Sequence, residues 1–165
     1  MIDRLTHPWL TIRVQLALGA IFIVAALPKI TDPPSFAHMI YNYRVLPAPL
    51  VNISALTMPW IELLAGLALV LGVWRHAARN VIAALLVTFI IAIAFNLARG
   101  NNIDCGCFDV SAANRTPEEQ FADMRMVIFR DLGMLLMCAQ LWLAARREDA
   151  ASAQFRDAAG AASLR

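Results

Sequence analysis

"ISALTMPWIELLAGLALVLGVW", Ile53 to Trp74, decides how the rest of the chain is read. It is long enough to cross a bilayer, which takes about 20 residues at ~1.5 Å of rise each. Its only ionisable side chain is Glu62. Three further stretches are apolar over a similar length: Trp9 to Pro28, Val81 to Leu97 and Met126 to Ala145. The whole chain of 165 residues is 60% apolar and only 16% charged, against about 25% charged in a soluble domain. Its mean hydropathy is +0.62. The expected fold is therefore all-α, an integral membrane four-helix bundle filling residues 1–147. The remaining segment, 148–165, is Ala-rich and polar with little to bury, so a disordered or frayed helical tail is expected there.

A net charge of +2 with no Lys/Arg-rich run excludes a polybasic nucleic-acid surface. The first apolar stretch follows Arg4 and Arg13 and so resembles a signal peptide, but its core is longer than the usual ~7 to 15 residues and no A-x-A site follows. It reads as a retained helix. Placing both termini in the cytoplasm puts Arg4, Arg13, Arg75, Arg79, Arg146, Arg147 and the two tail arginines, Arg156 and Arg165, on the inner side, as the positive-inside rule prefers. Lys29, Arg44, Arg99, Arg115, Arg125 and Arg130 then lie outward. Trp9, Trp74 and Trp142 all fall at the inner boundary. The expected location is the inner membrane, with the segment after the third span extracytoplasmic.

Two outward connections carry pattern. In "DPPSFAHMIYNYRVLP", Asp32 to Pro47, the residues Phe36, Met39, Ile40 and Tyr43 repeat at the spacing of an amphipathic helix. Prolines bound it on both sides, which predicts a short interfacial helix roofing the bundle. The other connection ends in "NRTPEEQF", where Thr116, Pro117 and Glu119 form a capping box with a proline at the first helical position. From Pro117 to Arg147 the fourth helix would measure about 45 Å at the standard rise, so its first turns project beyond the hydrocarbon.

Between these lies "NIDCGCFDV", Asn102 to Val110, holding two of the chain's three cysteines. Cys105 and Cys107 can bridge only through a small ring, and Gly106 supplies the backbone freedom this needs. Such a bridge closes almost no loop, so it staples little. A strained, exposed disulfide has an oxidising potential suited to exchange. The readings are a redox-active pair, a local structural disulfide, or a soft-metal site to which His38 adds a ligand. No full four-ligand set for zinc is present, and no metal is assigned. Oxidising surroundings outside the membrane favour disulfide chemistry.

Glu62 is costly in lipid and is expected to face the bundle interior with a partner, Lys29 or Arg130. Gly66, one turn on, lets a neighbouring helix approach. Glu62 reads either as half of an ion pair fixing helix packing or as a proton relay or charge that tunes the cysteines. Arg130 and Asp131 are adjacent and point in different directions. Arg130 either lowers a cysteine pKa or snorkels to the headgroups. Cys138 reads as a buried core thiol, and His7 and His76 carry no assigned role.

Taken together, "LPKITDPPSFAHMIYNYRVLP" (Leu27 to Pro47), "MPWIELLAGLALVLG" (Met58 to Gly72), Cys105-Gly106-Cys107-Phe108 and "FRDLGMLL" (Phe129 to Leu136) resemble the MauE/DoxX family of small four-helix membrane proteins, in its MauE-type branch. The resemblance covers roughly residues 13–143. It implies a four-helix membrane protein associated with methylamine utilisation, where the family is thought to help mature a disulfide-rich dehydrogenase subunit. Lys29, Tyr43, Pro47, Pro59, Glu62, Gly66, Gly72, Arg130 and Asp131 match its pattern. Asp109 stands where the pattern has glycine, and its charge disfavours the neighbouring thiolates.

Two functions follow as expectations. The first is a membrane protein whose Cys105 and Cys107, with Glu62 and Arg130 as charge or proton partners, assist thiol-disulfide oxidation or maturation of an extracytoplasmic redox enzyme. Four-helix membrane oxidoreductases of this kind resemble it but use additional cysteines to reach a quinone, so a quinone here would be met directly or through a partner protein. The second is a non-catalytic subunit or assembly factor of a quinone-linked oxidoreductase, as the DoxX side of the resemblance implies.

Overall fold

The computed structural model describes residues 6–100 and 117–163. Five helices are found among them: α1 Pro8–Thr31, α2 Pro33–Asn42, α3 Ala48–Leu71, α4 Arg75–Ala98 and α5 Pro117–Ser163. Of these, α1, α3, α4 and the Ala122–Gln154 part of α5 are long and apolar enough to cross a membrane. The chain is a multi-pass membrane protein with the expected all-α bundle.

Local sequence explains where the helices begin and end. Proline stands in the first turn of α1, α2 and α3, where an amide has no intrahelical acceptor to lose. At the end of α3, Gly72 adopts φ 72°, a left-handed conformation open to glycine. The Val73 amide donates to the Ala68 carbonyl at 3.0 Å and the Gly72 amide to Leu69 at 3.3 Å, closing the helix end. This tight turn starts α4 at Arg75, earlier than the apolar pattern beginning at Val81, because hydropathy does not register a polar first turn. The tail expected to be disordered or frayed continues α5 as helix to Ser163, with side chains exposed from Arg146 to Gln154. Pro117 opens α5 as the capping box predicts, while Thr116 lies outside the described residues.

Helices α1 and α3 run antiparallel and make the most extensive pairing in the bundle. They touch backbone to backbone. A Cβ added to Gly19 would sit 2.6 Å from Val70 Cγ2 and 2.8 Å from the Gly66 carbonyl, and one added to Gly66 would sit 2.9 Å from the Gly19 carbonyl. This is the small-residue packing that membrane helices use when lipid supplies no hydrophobic drive. Gly19→Ala is therefore expected to cost about 1–3 kcal/mol of bundle stability by overpacking. Reversible detergent unfolding checks it against Gly133→Ala, where nothing lies within 4 Å and no loss is expected. The core beneath the crossing joins Leu18 and Phe22 of α1, Leu69 of α3, Ile82 and Leu86 of α4, and Met134, Cys138 and Leu141 of α5. Cys138 is buried, as expected.

The roof helix forms where the amphipathic spacing predicts it. Phe36 and Met39 are buried against Ala55 of α3. Asp32 caps α2 by accepting from the Ser35 amide at 3.2 Å. Hydrogen bonds from the Ser35 side chain and amide hold the Asp32 carboxylate below its ordinary 3.8. A depressed folded-state pKa contributes stability that is present above the unfolded value and lost as pH falls through the folded one. Amide exchange at Ser35, corrected for its intrinsic rate, should thus lose protection only below about pH 3.8. Asp32→Ala should lose it at neutral pH, and Asp32→Asn should keep it without the acid dependence.

Candidate functional site

Side chains on a helix lean toward its N-terminus. In the antiparallel pair of α1 and α3, Lys29 near the end of α1 therefore leans back along the bundle while Glu62 of α3 leans toward it. They meet. Lys29 Nζ donates to Glu62 Oε1 at 2.8 Å and to Oε2 at 2.7 Å. Their side chains are 5% and 2% exposed. The ammonium also lies 5.3 Å from the ring centroids of both Phe36 and Phe89, whose faces attract a cation. Of the two partners expected for Glu62, the structure selects Lys29.

Arg130 turns instead to its own neighbour. Its Nε and Nη2 donate to Asp131 Oδ1 at 3.1 and 2.9 Å. Asp131 is buried, with its side chain 2% exposed, whereas Arg130 is 33% exposed. Although adjacent on the helix, the two side chains meet, the long Arg130 side chain reaching the buried Asp131 carboxylate from a partly exposed position. Lys29, Glu62, Arg130 and Asp131 all line one cavity of about 30 Å³ with Phe22 and Phe89. Two cations and two anions from α1, α3 and α5 form a charge-balanced centre, the arrangement by which ionised groups persist in a low-dielectric interior.

Lys29 also borders a second space. An apolar cleft of about 130 Å³ opens beneath α2, lined by Phe36, Met39, Tyr43, Met58 and Phe89 as well as Lys29. The far wall is pinned by Asn96, a fully buried residue near the end of α4. Its Nδ2 donates to the Tyr43 carbonyl at 3.0 Å and to Ala92 at 2.9 Å. Sequence reasoning passed over Asn96, although an amide side chain in a long apolar run signals a buried hydrogen bond. The predicted pair Cys105 and Cys107, together with Asp109, lies outside the described residues.

These features define a class: a small multi-pass membrane bundle, roofed by an interfacial helix over a buried, charge-balanced centre. Residues 7–144 match the family described as methylamine utilisation protein MauE, and the chain belongs to that family. It is 36% identical over 108 residues to the methylamine utilization protein MauE of Methylophilus methylotrophus, covering 65% of this chain and 57% of that protein. With the MauE protein of Methylorubrum extorquens the identity is 40% over 105 residues, 63% of this chain and 56% of the other. The Paracoccus denitrificans protein of the same name is 36% identical over 109 residues, 66% and 59%. The chain thus spans a little over half the length of the curated relatives it matches. No solved structure gives a significant match.

Proposed function

We propose that this chain serves methylamine utilisation as an inner-membrane protein whose Cys105 and Cys107 oxidise the thiols of an extracytoplasmic redox-enzyme partner during its maturation. The observation that carries this reading is the charge-balanced centre beneath α2, at the end of the bundle from which the cysteine segment leaves. That segment departs after Gly100, and Cys105 is five residues further on, within roughly 18 Å by chain reach alone. With both termini cytoplasmic, this end faces outward.

The exchange balances as follows. A partner thiolate attacks one sulfur of the Cys105–Cys107 disulfide, whose S–S bond breaks to give a mixed disulfide and a free thiolate. A second partner thiolate then displaces the chain's sulfur. The partner leaves oxidised, and Cys105 and Cys107 remain as thiols. The S–S bond of the pair re-forms as its two thiols give up two electrons and two protons, for which a membrane quinone, reached directly or through a partner protein, would be the acceptor. The cleft beneath α2 suits a quinone ring, with apolar and aromatic walls and the Lys29 ammonium as a donor toward a carbonyl oxygen.

Cys107→Ser and Cys105→Ser variants test the proposal. One of them is expected to hold the partner as a mixed disulfide, resolved on a non-reducing gel. Cysteines that react with no thiol probe before or after reductant, or a Cys105 labelled only from the cytoplasmic side, would overturn it.

A further inference from the structure

At the opposite end of the bundle Arg79 is buried, 6% exposed. Its Nη1 donates to the Leu141 carbonyl at 3.0 Å and its Nη2 lies 3.3 Å from His76 Nδ1, while its Nε has no acceptor. No carboxylate of the described residues bonds to it. A buried cation with no carboxylate hydrogen-bonded to it is costly, Asp149 acting on it only at longer range, and the surroundings of Arg79 show where an anion fits. It lines a cavity of about 60 Å³ between all four long helices, with Thr11, Gln15, Arg75 and His76. The acid on that lining, Glu148, is exposed and forms no ion pair with Arg79.

The first turn of α4 opens onto the same cavity. Trp74 provides no side-chain cap for it, so the positive end of the helix dipole adds to Arg75 and Arg79 in favouring negative charge. One water needs about 10–15 Å³ of such space. The cavity therefore holds on the order of four or five heavy atoms, the size of a phosphate group. Trp9 and Trp74, 70% and 81% exposed at this end, mark headgroup level.

We infer that this cavity binds a phosphate group, and that the group is the head of an anionic phospholipid. Basic pockets between transmembrane helices at headgroup depth take such lipids. The buried guanidinium supplies directed donors to the phosphate oxygens, and the rim charges supply attraction. This binding is independent of the cysteine chemistry at the other end.

Native mass spectrometry of the full chain in micelles, titrated separately with phosphatidylglycerol, phosphatidylcholine and inorganic phosphate, tests it. Phosphatidylglycerol is expected to be retained as a discrete bound lipid and to raise the unfolding temperature more than phosphatidylcholine. Arg79→Lys should weaken retention about tenfold, the scale of one charge-assisted hydrogen bond. Because Arg79 is buried and its variants can fail to fold, two exposed rim positions carry the test as well. Arg75→Gln should weaken retention and Glu148→Gln should strengthen it. Arg13→Gln, exposed and outside the cavity, should change nothing. Saturation by inorganic phosphate with no preference among lipids would overturn the lipid assignment. Equal retention of both lipids by every variant, or equal losses for Arg13→Gln and Arg75→Gln, would overturn the site.

Discussion

Lys29→Met is expected to destabilise the bundle by about 3–5 kcal/mol, the cost of leaving one member of a buried ion pair without its partner. Glu62 accepts two side-chain hydrogen bonds from Lys29 and has almost no solvent to replace them. The expected loss belongs to the stranded carboxylate rather than to the pair as a whole. Lys29→Met combined with Glu62→Leu should therefore recover most of the stability, because an apolar pair of similar volume carries no desolvation penalty. Arg130→Gln should cost less than Lys29→Met, since Arg130 is 33% exposed and headgroups or water can take its place beside Asp131. Reversible unfolding of the singles and the double in one detergent gives the cycle. A double variant as weak as Lys29→Met alone would mean that Lys29 acts through packing against Phe36 and Phe89 instead of through Glu62.

This centre was legible to different depths for each residue. Glu62 announced itself, because an isolated carboxylate in an apolar run of membrane length must face inward and be paired. Choosing between Lys29 and Arg130 required knowing which helices are antiparallel neighbours and which way their side chains lean, and hydropathy carries neither. Gly66 was recognised as a small residue one turn from Glu62. Its opposite number, Gly19, went unread because a lone glycine in an apolar helix names no partner. Arg79 shows the same limit from the other side. Counted by sequence among the inner arginines, it belongs to the interface, yet α4 starts early enough that Arg79 lies on its buried face beside Leu141. Asp32 carried a signal that was missed, an N-cap residue followed by proline in the first turn. The roof helix was legible because Phe36, Met39, Ile40 and Tyr43 repeat at helical spacing between prolines, a pattern local to the chain.

Replacing both Cys105 and Cys107 by serine is expected to abolish maturation of the partner enzyme while leaving the fold intact. A bridge across one glycine restricts few unfolded-state conformations, so its removal should shift the unfolding temperature very little. A marked loss of stability would identify a structural disulfide instead. Unchanged maturation with a stable fold would favour the assembly-factor reading, in which the outer segments dock a partner without exchanging thiols. Asp109 refines the same experiment. Its carboxylate disfavours thiolate at a neighbouring cysteine, and the thiolate is the form that reacts. Asp109→Gly restores the glycine usual at this place in the family pattern and should speed alkylation of the reduced pair near neutral pH, by up to about tenfold for each unit of thiol pKa. A rate unmoved by Asp109→Gly would place that carboxylate away from the sulfurs. The control of their reactivity would then fall to other groups at the α2 end of the bundle, where Lys29 and Arg130 stand paired with Glu62 and Asp131.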